Sequence, residues 1–126
     1  MRIRISWAGG QVVARLKDSP ATQRLLHTLP YRSQAHVWGE EVYFKLPLAM
    51  GIDEAATDVV DPGTVCYWST GHSLAIPFGP TPVSQGEECR LVEPVIILGK
   101  IEGDPKLLKQ VREGESIQVS RVVEPW

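Results

Sequence analysis

Ile3, Ile5 and Trp7 alternate with Arg2, Arg4 and Ser6, a two-residue period that predicts a half-buried strand over Arg2 to Trp7. Ala8-Gly9-Gly10-Gln11 reads as a turn and Val12 to Leu16 as the returning strand of a hairpin. The period then changes. Ser19 stands as an N-cap, Pro20 takes the first helical position, and Ala21, Leu25, Leu26 and Leu29 form an apolar stripe that Pro30 ends. Tyr31 to Trp38 and Glu41 to Leu46 return to strand around Gly39-Glu40. In the second of these, Glu41 and Tyr43 share one face while Val42 and Phe44 share the other, which assigns Phe44 to the core. Pro47 to Pro62 keeps no period; its acids and small residues predict a surface loop with one helical turn near Asp53 to Ala56.

Pro62-Gly63 marks a turn, and Thr64 to Trp68 is a strand rich in β-formers. Ser69-Thr70-Gly71-His72 turns the chain, Ser73 to Phe78 comes back, and Gly79 to Glu88 is a long Pro/Gly/Ser loop, read as a stiff frame for the mouth of the fold. Pro77 inside an apparent strand predicts an edge or a bulge. The apolar run from Pro94 leads into a strand over Val95 to Ile101. Asp104 then caps a short helix with Pro105 first and Leu107, Leu108 and Val111 on one face. Ser116 to Val123 closes as an alternating strand. The sum is about eight strands and two short α-helices, and such a strand run must close or cover its edges. The expected fold is mainly β, a closed barrel plugged by the helices, and a single domain over residues 1–126.

Composition narrows the function classes. A formal net charge of −2 with scattered basic residues lacks the electrostatic footprint that nucleic-acid binding requires. Lys106, Lys109 and Arg112, the densest basic group, read as the solvated face of the second helix. No apolar run approaches the ~20 residues that span a bilayer, and Met1 to Ile5 alternates at once, so the expected address is cytoplasmic with no membrane partner. Cys66 and Cys89 have neither C-x-x-C spacing nor companion ligands, and are read as two reduced, buried thiols.

Several blocks resemble a known fold family. Leu98-Gly99-Lys100-Ile101-Glu102-Gly103 followed by a helix is similar to the closing segment of the cyclophilins, F-G-K-V-x-E-G. Gln11 to Thr22 resembles their second strand entering the first helix, and Gly63-Thr64-Val65 with Gly71, Ser73 and Ile76-Pro77-Phe78 resembles G-T-V-S-M-A…G-S-Q-F-F-I. A closer resemblance is to the small prokaryotic cyclophilin-like proteins, through Gly39-Glu40-Glu41-Val42-Tyr43-Phe44-Lys45-Leu46-Pro47, Pro62-Gly63-Thr64-Val65-Cys66-Tyr67-Trp68 and Ile76-Pro77-Phe78-Gly79-Pro80-Thr81-Pro82. That resemblance implies a cyclophilin-like barrel and no established reaction. A cyclophilin isomerase carries an F-H-R strand; the matching stretch Gln34-Ala35-His36-Val37-Trp38 keeps the histidine and has Val37 in place of the arginine. Without that donor the peptide-bond barrier of ~18–20 kcal/mol is not lowered in the usual way, and Arg32 replaces it only in a different register.

The residues that could carry function gather in two groups. His36, Trp38, Glu40, Glu41 and Tyr43 crowd one corner, and Tyr67, Trp68, His72 and Phe78 belong to the strands facing it. Aromatic rings with acids and histidines at the rim suit a pocket that stacks a flat or cyclic ligand and orients it by hydrogen bonds. The candidate ligand-binding residues are His36, Trp38, Glu41, Tyr43, Tyr67, His72 and Phe78; the competing reading makes Tyr43, Trp68 and Phe78 plain packing. His36 and His72 with Glu40 or Glu41 lack the local spacing of a metal site, so no metal and no cofactor is expected. Ser69 and Ser73 beside His72 have no nucleophile elbow, and Cys66 has no adjoining cation to activate it. The expected role is binding a small molecule or short peptide where an isomerase would hold proline. An atypical isomerase, or an interaction module of a metabolic enzyme using an apolar patch at Trp7 or Trp126, are the alternatives. Either a monomer or an oligomer fits the composition.

Overall fold

The computed structural model describes residues 1–52 and 55–123. The first hairpin forms as its alternation requires. β1 (Arg2–Trp7) and β2 (Gly10–Leu16) pair antiparallel, from Arg2 opposite Arg15 to Trp7 opposite Gly10. Ile3, Ile5 and Trp7 turn inward together with Val12, Ala14 and Leu16, and all are buried. Trp7 is thus a core residue and not an exposed apolar patch. Trp126, and the Asp53 and Glu54 on which the expected helical turn rests, lie outside the described residues.

α1 (Pro20–Leu26) is capped by Ser19, whose Oγ accepts a hydrogen bond from the Thr22 amide at 3.1 Å. Leu25 and Leu26 enter the main core. The stretch from Tyr31 then divides: β3 (Tyr31–Gln34) pairs with β10 (Ser116–Arg121), whereas β4 (His36–Val37) pairs with β5 (Glu41–Lys45). Ala35, at the division, is fully buried. Its amide donates to the Glu115 carbonyl and its own carbonyl accepts from the Gly114 amide, each at 2.8 Å. Between β4 and β5, Gly39 has φ +61, and a Cβ there would stand 2.8 Å from Pro82 Cδ, so both the turn and the loop packed on it require glycine.

β6 (Thr57–Val60), β7 (Thr64–Trp68), β8 (Ser73–Pro77) and β9 (Cys89–Glu102) complete ten strands among the described residues, with the order β3-β10-β1-β2-β9-β7-β8-β5-β4 and β6 beside β9. The closed barrel of about eight strands is therefore corrected in two respects. Two strands are added, by the division at Ala35 and by β6 within the stretch expected to be irregular. The ladder is also open: no strand pairing joins β3 to β5, and the gap is crossed by the chain at Ala35 and by Ser33 Oγ, which donates to the Lys45 carbonyl at 2.7 Å. One strand has given its first half to one neighbour and its second half to another, so neither half completes the ring.

β9 begins six residues before the expected Val95. Leu98 is an extra residue between Ile97, opposite Cys66, and Gly99, opposite Val65; this bulge bends the strand. Its first half pairs with β6, and its second half lies between β7 and β2. The second helix is a 3-10 helix over Pro105–Gln110, with Asp104 Oδ1 accepting from the Lys106 amide at 2.9 Å. Three residues per turn align Leu108 with Val111, both buried, and leave Leu107 43% exposed, which corrects the expected α-helix and its three-residue stripe. Pro77 ends β8, an interior strand, with no bulge there: its carbonyl accepts from Gly63, so the missing N–H faces the turn before β7 and costs no registered pair.

Two cores result. The main one fills the concave side of the curled sheet, with Val42, Phe44, Tyr67, Leu74 and Ile76 joined by Leu25 and Leu108 from the two helices. The second lies on the outer face, where Cys66, Ala75, Leu91 and Val95 are covered, with Tyr43, Val60 and Trp68 packed around them. Cys66 and Cys89 are free and buried.

Candidate functional site

Strand alternation builds the site. Along β5, Val42 and Phe44 point into the main core, which leaves Glu41 and Tyr43 on the outer face. Along β7, Tyr67 points inward, and Cys66 and Trp68 point outward. The first half of β9 folds across that outer face and brings Leu91 and Val92 over it. The space left is a cleft of roughly 220 Å³ lined by Trp38, Glu41, Tyr43, Trp68, Ala75, Leu91 and Val92.

Its aromatic walls are held from behind. Tyr43 and Trp68 meet edge to face, with centroids 5.8 Å apart and planes at 88°; such contacts contribute roughly 0.5–1.5 kcal/mol beyond area burial. The Trp68 indole Nε1 donates to Glu93 Oε1 at 2.8 Å. On its other side Tyr43 meets the His36 ring at 5.1 Å. His36 Nδ1 lies 2.7 Å from Glu113 Oε2, and Glu113 Oε1 accepts from the Val37 amide at 2.9 Å. Those two hydrogen bonds, the backbone one first, hold the Glu113 carboxyl below the usual carboxylate range.

Glu41 is the anomaly. Its residue is 5% exposed, and Oε1 is buried without a hydrogen-bond partner. Burial pushes its carboxyl up to about 7, and no neighbouring cation brings it back down. The negative field reaches behind the cleft: after their own burial, Glu41 is among the charges that push the Cys66 and Cys89 thiols up. Next in the chain, Glu40 is ion-paired to Lys109 Nζ at 3.1 Å. Chemically, the cleft offers ring faces and edges, an apolar floor, and one carboxyl poised between neutral and ionised forms at neutral pH.

Of the seven residues expected at a site, the structure brings Trp38, Glu41 and Tyr43 together in the cleft, with His36 behind Tyr43. The other three lie elsewhere. Tyr67 is buried in the main core, its hydroxyl donating to the Leu48 carbonyl at 2.5 Å, because neighbouring residues of a strand cannot share a face with each other. Phe78 is likewise buried in that core. His72 sits exposed in the β7–β8 turn with φ 48. Arg32 is exposed on β3, donating to Gln118 Oε1 at 3.1 Å, and borders a separate cleft with Trp7 and Glu115. No arginine lines the aromatic cleft. Among the described residues no three of His, Cys, Asp and Glu gather as metal ligands.

Leu91 and Val92 went unrecognised from the sequence. Cys89, Leu91 and Val95 do keep a spacing of two or its multiple, but Pro94 interrupts the run and hides the strand. The sequence places Trp68 only among the strands facing the site, while its neighbour Tyr67 takes the expected place in the pocket; the strand's alternation gives that place to Trp68.

A curled, antiparallel β-protein with an aromatic-walled cleft on its outer sheet face is the class these features define. The chain belongs to the cyclophilin-like family, whose model matches residues 1–120. It is similar to a solved archaeal structure, the solution structure of a hypothetical protein from Archaeoglobus fulgidus, at 33% identity over 97% of this chain and 95% of that one, with a TM-score of 0.83. No curated protein matches the chain.

Proposed function

We propose that this protein is a binding domain that holds a small molecule or a short peptide segment in the cleft between β5, β7 and the first half of β9. The observation that carries the reading is the buried, unpartnered Oε1 of Glu41 among Trp38, Tyr43 and Trp68. Burying a polar atom without a partner costs roughly 1–3 kcal/mol, a cost that a ligand bonded to it would remove. Two walls fixed by Glu93 and by the His36–Glu113 pair add preorganisation, which lowers the entropy lost on binding. At roughly 220 Å³ the cleft is below the ~300–1,000 Å³ of sites for drug-sized ligands, so the bound group is compact.

Prolyl isomerisation finds less support. Val37 is 37% exposed on the strand where the resemblance would put an arginine, and Arg32 is engaged with Gln118 outside the cleft. An exchange assay on a short X-Pro peptide is expected to show no acceleration, with Arg32→Ala indistinguishable from the parent chain. Catalysis that disappears in Arg32→Ala would replace the binding reading with an isomerase. The binding reading itself is tested by screening compact cyclic and aromatic fragments against the labelled protein by NMR. Shifts concentrated at Trp68, Tyr43 and Glu41 are expected, and hits that leave these residues unmoved would remove the cleft as the site.

A further inference from the structure

Resting on that reading, we propose that the group the cleft recognises is a small organic ammonium, held by the aromatic side chains of Trp38, Tyr43 and Trp68 and countered by the Glu41 carboxylate. Cations are attracted to the faces of tryptophan and tyrosine, and the attraction grows when water is excluded. Three such rings line one compact cleft, two of them crossed at 88°, so they present more than one direction of approach.

Charge decides between a cation and a neutral guest. Among the described residues Glu41 Oε1 has no hydrogen-bond donor. The ionisable groups around it are Tyr43 on its own strand, Glu40 beside it, Cys66 on β7, and Cys89 and Glu93 on β9, with His36 of β4 behind Tyr43. None but His36 can carry positive charge near neutrality, and its Nδ1 is directed at Glu113. Lys109, the cation paired with Glu40, is absent from the lining. The missing countercharge is therefore left to the ligand. A lone carboxyl buried among rings is poor at holding its own charge, and an ammonium entering the cleft favours the ionised form, the neutral fraction giving up its proton to solvent. The compact volume favours a free small molecule over a peptide side chain with its flanking backbone.

The test uses the full chain, labelled for NMR and titrated with choline and with its neutral carbon isostere, dimethylbutanol, at about pH 8 and about pH 5.5, either side of the Glu41 transition. Choline is expected to bind at least about tenfold more tightly than the isostere at the higher pH, with shifts at the Trp68 indole and at the amides of Glu41 and Tyr43, and to lose that preference at the lower pH. Glu41→Gln, checked for an intact amide spectrum, is expected to abolish the preference; if that variant does not fold, the pH series on the parent chain carries the same test. Equal affinity for both probes at high pH, at the cleft, overturns the ammonium assignment while the binding reading stands. A choline preference that persists undiminished at low pH and in Glu41→Gln likewise overturns the role given to the Glu41 carboxylate. A trimethyl-lysine tripeptide that outbinds choline by about tenfold overturns the free small molecule in favour of a peptide. Absence of any choline shift at the cleft overturns the inference alone, because the fragment screen judges the cleft separately.

Discussion

At Glu41 the cost of the site is concentrated in one side chain. A carboxyl whose value rises from the ordinary 4.5 to about 7 on folding binds more protons in the native state than in the unfolded one between those limits. The contribution of Glu41 to native stability is accordingly greatest below about pH 4.5 and falls as pH rises through 7, the reverse of an ion-paired acid, by up to about 3 kcal/mol. Glu41→Gln is expected to be more stable than the parent above pH 7 by a part of that amount, with the pH dependence between 4.5 and 7 flattened; denaturant melts at several pH values measure it. Tyr67 offers the opposite case. Its buried hydroxyl donates to the Leu48 carbonyl, so Tyr67→Phe leaves that acceptor unpaired and is expected to cost about 1 kcal/mol, with no change in ligand response.

Among the elements, legibility followed periodicity. β1, β2 and β5 alternate, β7 is dense in β-formers, and the structure keeps all four close to where the sequence puts them. β6 is four residues long and pairs only with an out-of-plane half of β9, so no amphipathic signature survives in its Thr-Asp-Val-Val. The 3-10 turn shares cap and proline signals with an α-helix; only the exposure of Leu107 against the burial of Leu108 separates the two geometries. Trp38, Glu41 and Tyr43 could be grouped from their closeness in the chain, whereas Leu91 and Val92 reach the cleft through a long-range fold of β9 that no local pattern encodes. For α1 the cap is a local device with a local cost: Ser19→Ala is expected to remove about 1 kcal/mol, visible as a lowered melting temperature with the cleft resonances unmoved.

For the molecule as a whole, the cleft and the division at Ala35 are neighbours in the chain. Trp38 follows β4, and Glu41 and Tyr43 belong to its partner strand, so two walls of the cleft stand at one end of the open ladder. The bent β9 serves both sides of the sheet, covering the cleft with its first half and tying β7 to β2 with its second. A ligand that locks the cleft is expected to slow amide exchange in β4 and β5 as well as at the contacting residues, while β1 and β2 remain unchanged.

The joint at Ala35 makes the molecule a bracelet closed by a clasp rather than a welded ring. Breaking the chain at the exposed Gly86 leaves that clasp intact. A break at Ala35 would instead cut the joint itself, leaving the Ser33 to Lys45 bond and the Glu113 bonds to His36 and Val37 to hold the two ends of the sheet together. Circular permutants opened at these two positions are therefore expected to differ in stability, the one opened at Gly86 melting at the higher temperature.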